Sequence, residues 1–322
     1  MKFIAVITAV AMLICLAACA KNEPETNITA PETEYSATVS TVAESEGTSP
    51  APETSAPEAA AIEGLTPVYD GTAIAEAYIS GDASGLDEKQ SAIYEAAVEA
   101  INGFYSDSMT DEETIIAAHD WIVENISYDE NMLLAIPKQS EDTENPYGAL
   151  IKRQAICMGY TTTFQLFMDM LGIESKVVHG SAEDEEHAWN LVNIGGNWYH
   201  VDTTWDDFVP EEKDRPAFHL YCLVPDSVME INHVWKKESF PSADSSDLIY
   251  YPSHGKYAEN KAAASDILNE AYRNGMKFEE IMYDRVPDGF GGVSLDGVSF
   301  NKTAQYWLND FGDYIVVVYW LL

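Results

Sequence analysis

The chain has 322 residues, of which 46% are hydrophobic, and a formal net charge of −37 set by 17 Lys and Arg against 54 Asp and Glu. So acidic a protein is a poor partner for nucleic acid or anionic lipid, and both are excluded as binding surfaces. Four cysteines in a chain of this length do not make a disulfide framework.

The first element is a targeting segment rather than part of the fold. Lys2 precedes an apolar run from Phe3 to Leu16 that is short for a membrane span. The run closes on Leu16-Ala-Ala-Cys19. That ending resembles a bacterial lipoprotein processing site, which implies that residues 1–18 are removed and that the Cys19 thiol is lipidated. The expected location is extracytoplasmic, with the membrane reached through the lipid alone. Residues 19–64 are rich in Pro, Thr, Ser and Glu. They bury too little apolar surface to offset their ordering entropy and read as a disordered spacer.

The folded part begins near residue 65. Ile93, Ala97, Ile101 and Phe104 give Asp87 to Tyr105 a helical period. Thr110, with Glu113 three residues on, signals a capped helix start, and Ile115, Ala118, Ile122 and Ile126 form its apolar stripe. Residues 137–146 read as a loop. A helix follows from Cys157 to Leu171, closed by Gly172, then a strand over Lys176–Gly180 and an acidic loop over Ser181–Glu186. His187–Ile194 and Asn197–Trp205 read as strands joined at Gly195-Gly196, a two-residue hairpin signal. His219–Val224 is a further strand, and residues 226–254 look irregular. Ala262–Asn274 is a helix, followed by a glycine-rich loop at 289–292, a short helix near 304–308 and a terminal strand, Tyr314–Leu322. Helices first and antiparallel strands afterwards make the fold class α+β. The expected domains are 65–254 and a small C-terminal α/β appendage, 255–322, of unknown role.

Chemistry points to Cys157. With Cys15 in the targeting segment and Cys19 lipidated, only Cys157 and Cys222 remain, and Cys222 lies in an apolar run that reads as core. A cysteine at a helix start faces unpaired amides and the positive end of the helix dipole, which favour the thiolate and supply an oxyanion donor, the Cys157 N–H. Gly159 and the threonines after it leave room for substrate at the first turn. A turn at Gly195-Gly196 pairs Ile194 with Asn197, so His187 faces Thr204 and Trp189 faces Asp202. His187 and Asp202 then share a face as diagonal neighbours, about 7–8 Å apart at Cβ, within reach of each other. The Cys157 helix is expected to bring its N-terminus against that face, with His187 as base and Asp202 as its orienting carboxylate. Trp189 would wall the cleft.

His200 shares that face but sits nearer the turn, opposite Leu191, and ranks below His187. His179 lacks a carboxylate of matching parity. His119 reads as packed or surface, and His219, His233 and His254 as structural. Zinc on Cys157, His187 and Asp202 lacks close-spaced ligand pairs, so no metal and no cofactor are expected. Asp206-Asp207 and Glu183–Glu186 read as solvated loops.

Taken in order, His119-Asp-Trp-Ile, Ile126-Ser-Tyr-Asp129, Tyr147-Gly-Ala-Leu150, Ala155-Ile-Cys-Met-Gly-Tyr160, His187-Ala-Trp-Asn190 and Trp198-Tyr-His-Val-Asp-Thr-Thr-Trp205 resemble the motifs of the transglutaminase-like superfamily of papain-type cysteine enzymes. Gly172-Ile173, Val177–Gly180, His233-Val-Trp235 and Phe240-Pro241 extend the likeness. Ile156 stands where valine is usual. The resemblance, centred on residues 117–208, implies a papain-like core with N-terminal helices on an antiparallel sheet. It also implies a Cys157–His187–Asp202 triad and an acyl-enzyme formed from a protein or peptide, cell-wall peptide included. Tyr147 is a candidate second oxyanion donor by sequence proximity. Hydrolysis is the expected outcome, with amine cross-linking, or a non-catalytic binding module, as alternatives.

Overall fold

A computed structural model describes residues 68–129, 142–207, 217–284, 308–311 and 314–321. The targeting segment, Cys19, the spacer, the glycine-rich loop at 289–292 and the short helix near 304–308 (Leu308 apart) lie outside the described residues. Three helices come first: α1 Thr72–Ser80, α2 Glu88–Phe104 and α3 Asp111–Asn125. Capping boxes start two of them. Asp87 with Gln90 caps α2, and Thr110 with Glu113 caps α3, each satisfying two backbone amides left over at a helix start. Strand β1, Ser127–Tyr128, pairs in parallel with β2, Gln154–Ala155. Helix α4 then runs Cys157–Leu171 and ends at Gly172, whose φ of 74° suits a residue without Cβ.

An antiparallel sheet of five strands follows, formed by β3 Ser175–Ala182, β4 Glu185–Ile194, β5 Asn197–Val201, β6 Cys222–Val224 and β7 His233–Trp235. Their spatial order is β6-β5-β4-β3-β7. The hairpin register is the expected one, with Ile194 opposite Asn197 and Leu191 opposite His200. Gly195 and Gly196 take φ of 60° and 93°, the left-handed values this turn demands. Short helices α5, Asp226–Met229, and α6, Tyr250–Ser253, pack beside the sheet. Helix α7, Lys261–Arg273, and strands β8 Phe278–Asp284, β9 Leu308–Phe311 and β10 Tyr314–Trp320 complete the described chain, in a sheet of order β8-β10-β9.

Alternation of side chains divides the core. Val192, Tyr199 and Val201, on one face of the sheet, pack with Phe164, Phe167, Ile93, Ile101, Ile115 and Ile122 from the helices. Trp189 and Leu191, on the other face, pack with Leu220, Tyr251, Met282 and Val316. Met282 and Val316 are ladder partners on β8 and β10. The opposite side of that small sheet, with Ile281, Tyr283 and Val317, covers Ala264 and Leu268 of α7.

Several elements depart from expectation. Strand β5 stops at Val201 instead of Trp205, because the Asp202 carboxylate takes the amides of Thr204 and Trp205 at 3.0 and 3.1 Å and turns the chain. Strand β6 begins at Cys222 instead of His219, since the Tyr221 amide donates to the Asp206 carboxylate. Residues 226–254 hold β7 and two short helices, and β8 was not foreseen because Glu279-Glu280 masks its apolar residues.

Candidate active site

The thiol sits where its helix begins. Ile156 is the residue before α4, and no side chain caps that helix start, while the Gly159 and Tyr160 amides turn back to the Ile156 carbonyl at 2.8 and 3.1 Å. Cys157 is half-buried and free of a disulfide, whereas Cys222 is buried. Burial pushes the Cys222 thiol well up from its ordinary value, as expected of a core cysteine. Helix α4 does not lie on the His187 face. Its apolar residues pack on the opposite face of β4 and β5, and its start reaches His187, whose imidazole Cys157 helps to raise. Thr161 stitches the two elements together: its hydroxyl donates to the Ala188 carbonyl at 2.8 Å, and Asn190 Nδ2 donates to the Thr161 carbonyl at 3.2 Å.

His187 is 8% exposed and Asp202 1%. His187 Nε2 lies 2.6 Å from Asp202 Oδ2, which leaves Nδ1 as the ring nitrogen for the thiol. Burial alone would pull the imidazole down, but the charge and hydrogen bond of Asp202, helped by Cys157, push it up to about 10. Burial would raise Asp202, yet His187 and a second histidine hold its carboxyl well below the usual carboxylate range.

That second histidine is His233, which reads as structural in the sequence. Strand β7 pairs with β3, not with β4, and places His233 opposite Ala182. Its Nε2 lies 3.1 Å from Asp202 Oδ2, and its ring is walled by Trp205, Trp189 and Tyr221 with centroids 4.8, 5.1 and 5.3 Å away. Burial lowers His233 from its ordinary value, with Asp202 offsetting only part of this. Its Nδ1 lies 2.7 Å from Asn232 Oδ1. Asn232 Nδ2 in turn donates to the Tyr221 hydroxyl at 2.6 Å.

Trp189 is buried and stacks on His187 at 5.9 Å and 21°, while its Nε1 donates to His200 Nδ1 at 2.9 Å. It backs the histidine from inside. His200, also bonded to Asp226, is thereby occupied away from the thiol. The Tyr147 ring lies beneath the ammonium groups of Lys89 and Lys152, at 5.0 and 5.7 Å. Among the described residues, these ring contacts do not join it to Cys157, His187 or Asp202.

Three expectations are corrected. Gly159 does not make room for substrate: a Cβ there would lie 2.4 Å from the Thr143 carbonyl oxygen and 2.7 Å from the Ala155 Cβ. The glycine instead lets the 142–145 segment close over the helix start. The threonines after it are buried and hydrogen-bonded inward. Asp206 and Asp207 are buried, not solvated; Asp206 faces His119 and Asp207 accepts from the Tyr160 hydroxyl. His119 and His219, read as packed or structural, belong to one polar network with Asp120, Asp206 and Glu280.

Residues 98–203, which hold Cys157, His187 and Asp202, match the family model described as the transglutaminase-like superfamily. Human kyphoscoliosis peptidase is 26% identical over 207 residues, covering 60% of this chain and 28% of its own length. The mouse protein of the same name is 22% identical over 192 residues, covering 55% and 28%. The match thus spans less than a third of these relatives. Among solved structures, one of a TGase overlaps with a TM-score of 0.32 and 16% identity, over 44% of this chain and 39% of that one. An arylamine N-acetyltransferase of Bacillus cereus overlaps with 0.30 and 11%, over 39% and 52%.

Proposed function

We propose that this chain, whose residues 98–203 match the transglutaminase-like superfamily, is a papain-type cysteine enzyme that hydrolyses amide bonds of a protein or peptide through a thioester on Cys157. The observation that carries the reading is the 2.6 Å contact of His187 Nε2 with Asp202, which leaves the other ring nitrogen to a thiol at an uncapped helix start.

In this mechanism Cys157 Sγ, as a thiolate beside imidazolium, attacks the amide carbon. The oxyanion forms against the Cys157 N–H at the start of α4. His187 gives its proton to the leaving nitrogen, the C–N bond breaks, and an amine departs from a thioester. Neutral His187 then takes a proton from water, hydroxide adds to the thioester, and the carboxylic acid leaves as the thiol is restored. Asp202 keeps the ring oriented and holds its charge throughout. Hydrolysis is favoured over amine transfer because the curated relatives carry the name peptidase.

The test offers a peptide library with and without a primary amine and weighs the products. Products shortened at an amide bond, unchanged in mass by added amine and absent with Cys157→Ala, are expected. Products carrying the amine would replace hydrolysis with cross-linking. Full activity in Cys157→Ala would end the reading altogether.

The Leu-Ala-Ala-Cys19 ending supports a site of action outside the cytoplasm, at the end of a lipid anchor and spacer. Metabolic labelling with palmitate should then mark the wild type and not Cys19→Ala; equal labelling would reject the anchor.

A further inference from the structure

Away from the thiol, a second cluster brings two histidines onto one carboxylate. His119 and Asp120 are neighbours near the end of α3, and His219 lies in the segment before β6. Asp120 Oδ1 is 2.9 Å from His119 Nδ1 and 2.9 Å from His219 Nε2, and the three ligand atoms lie within 4.8 Å of one another. The far nitrogen of each ring is also engaged. His119 Nε2 is 3.0 Å from Asp206 Oδ2, and His219 Nδ1 is 2.8 Å from Glu280 Oε2.

We propose that His119 Nδ1, Asp120 Oδ1 and His219 Nε2 form a binding site for a divalent transition-metal ion of the zinc type, with Asp206 and Glu280 as the carboxylates that orient the two rings. Two imidazoles and one carboxylate are a donor set that such ions prefer. The outer carboxylates supply the histidine–carboxylate pairing that accompanies metal-bound histidine, fixing the tautomer with the proton on the outward nitrogen.

The spacing is near what such an ion needs. Around a tetrahedral ion, ligand atoms about 2.0–2.1 Å from it lie about 3.3 Å apart. Both oxygen–nitrogen edges, at 2.9 Å, must open by about 0.4 Å, and the nitrogen–nitrogen separation, no more than 4.8 Å, must close by at most about 1.5 Å. The Asp120 side chain is 35% exposed, which gives an ion a route in and leaves water as its remaining ligand. Tyr250 stacks flat on His219 at 3.6 Å and so leaves the in-plane nitrogens clear.

The ion would fasten three parts of the chain that sequence separates: α3, the segment before β6, and β8 through Glu280. The experiment uses the full chain purified without a histidine tag, dialysed against zinc and desalted, with metal measured by mass spectrometry and melting followed in parallel. One zinc per chain and a saturable rise in melting temperature are expected for the wild type and for His187→Gln, which spares this cluster. Asp120→Asn and His219→Gln should each bind at least about 100-fold more weakly, and Glu280→Gln about 10–100-fold. Circular dichroism verifies that Asp120→Asn, the mildest change, stays folded. Zinc absent from the wild type, or zinc retained by Asp120→Asn and lost by His187→Gln, would overturn the site.

Discussion

Replacing Asp202 with asparagine tests the proposed chemistry most directly, because four donors converge on that carboxylate. His187 and His233 reach Oδ2 at 2.6 and 3.1 Å, and the amides of Thr204 and Trp205 reach Oδ1 at 3.0 and 3.1 Å. A carboxamide offers one oxygen. With that oxygen kept on the backbone amides, its NH₂ faces both imidazoles, and His187 must accept at Nε2. The ring proton then moves to Nδ1, where it faces Cys157, and the base has no lone pair for the thiol. Loss of the tautomer in comparable triads costs about 10⁴ in turnover, or about 5 kcal/mol at 1.36 kcal/mol per decade. Loss of the carboxylate 3.1 Å from His233 Nε2 adds about 1–3 kcal/mol of lost stability. Without Asp202, burial dominates His187 and it falls back from about 10. Alkylation of Cys157 by iodoacetamide at neutral pH should then slow by at least about tenfold. The assay pairs that alkylation rate with turnover of a peptide that the wild type cleaves, and a folded Asp202→Asn variant within tenfold of wild type in both would refute the orienting role.

Other consequences follow from the same geometry. Native iodoacetamide treatment should label Cys157 far faster than buried Cys222, with the second adduct appearing only in denaturant; equal labelling would reject an activated thiol. The raised His187 contributes stability that is fully present below its unfolded value near 6.5 and is lost as pH rises through about 10. The melting-temperature gap between wild type and His187→Gln should therefore shrink between pH 6.5 and 10; a gap constant over that range would contradict the ion pair. Asp202, being depressed, should show the opposite slope on the acid side, its contribution fading as pH falls below about 4. Gly159→Ala should lower stability by about 1–3 kcal/mol, since the added methyl meets a carbonyl oxygen at 2.4 Å. Unchanged melting would mean that the 142–145 segment yields freely.

What the sequence disclosed about this site was local. The Cys157 helix, the Thr110–Glu113 capping box and the hairpin register rest on residues two to four apart, so their physics is written in neighbouring letters. Gly195-Gly196 admits few turn types, and a two-residue turn sets the register of β4 and β5. That brings His187 to Asp202 even though β5 ends before their level. His233 was hidden because β7 joins through β3, an edge pairing that no turn residue specifies. Asp206 and Asp207 were misread because adjacent carboxylates are usually hydrated; what buries them are His119 and Tyr160, drawn from helices 87 and 47 residues away in sequence. The face that carries the body of α4 is not legible in the sequence, because parity along a hairpin says which residues share a side and not which side a helix covers.

The turn after β5 connects the two histidine–carboxylate groups mechanically. Asp206 N–H donates to the Asp202 carbonyl at 3.2 Å, and Asp202 N–H donates to the Tyr221 carbonyl at 3.0 Å. The Tyr221 amide in turn donates to both oxygens of Asp206, at 3.0 and 3.1 Å. The loop of bonds is closed: Asp202 is held by the backbone of Tyr221, Tyr221 by the side chain of Asp206, and Asp206 by His119. Asp202 is thus positioned from two directions, by the rings it serves and by a carboxylate whose only imidazole partner among the described residues belongs to the other cluster. A change at His119 that rotates Asp206 releases the Tyr221 amide before it disturbs any residue near the thiol, and the cost reaches His187 as lost orientation of Asp202. That explains why a helix with no residue in the triad still bears on its geometry.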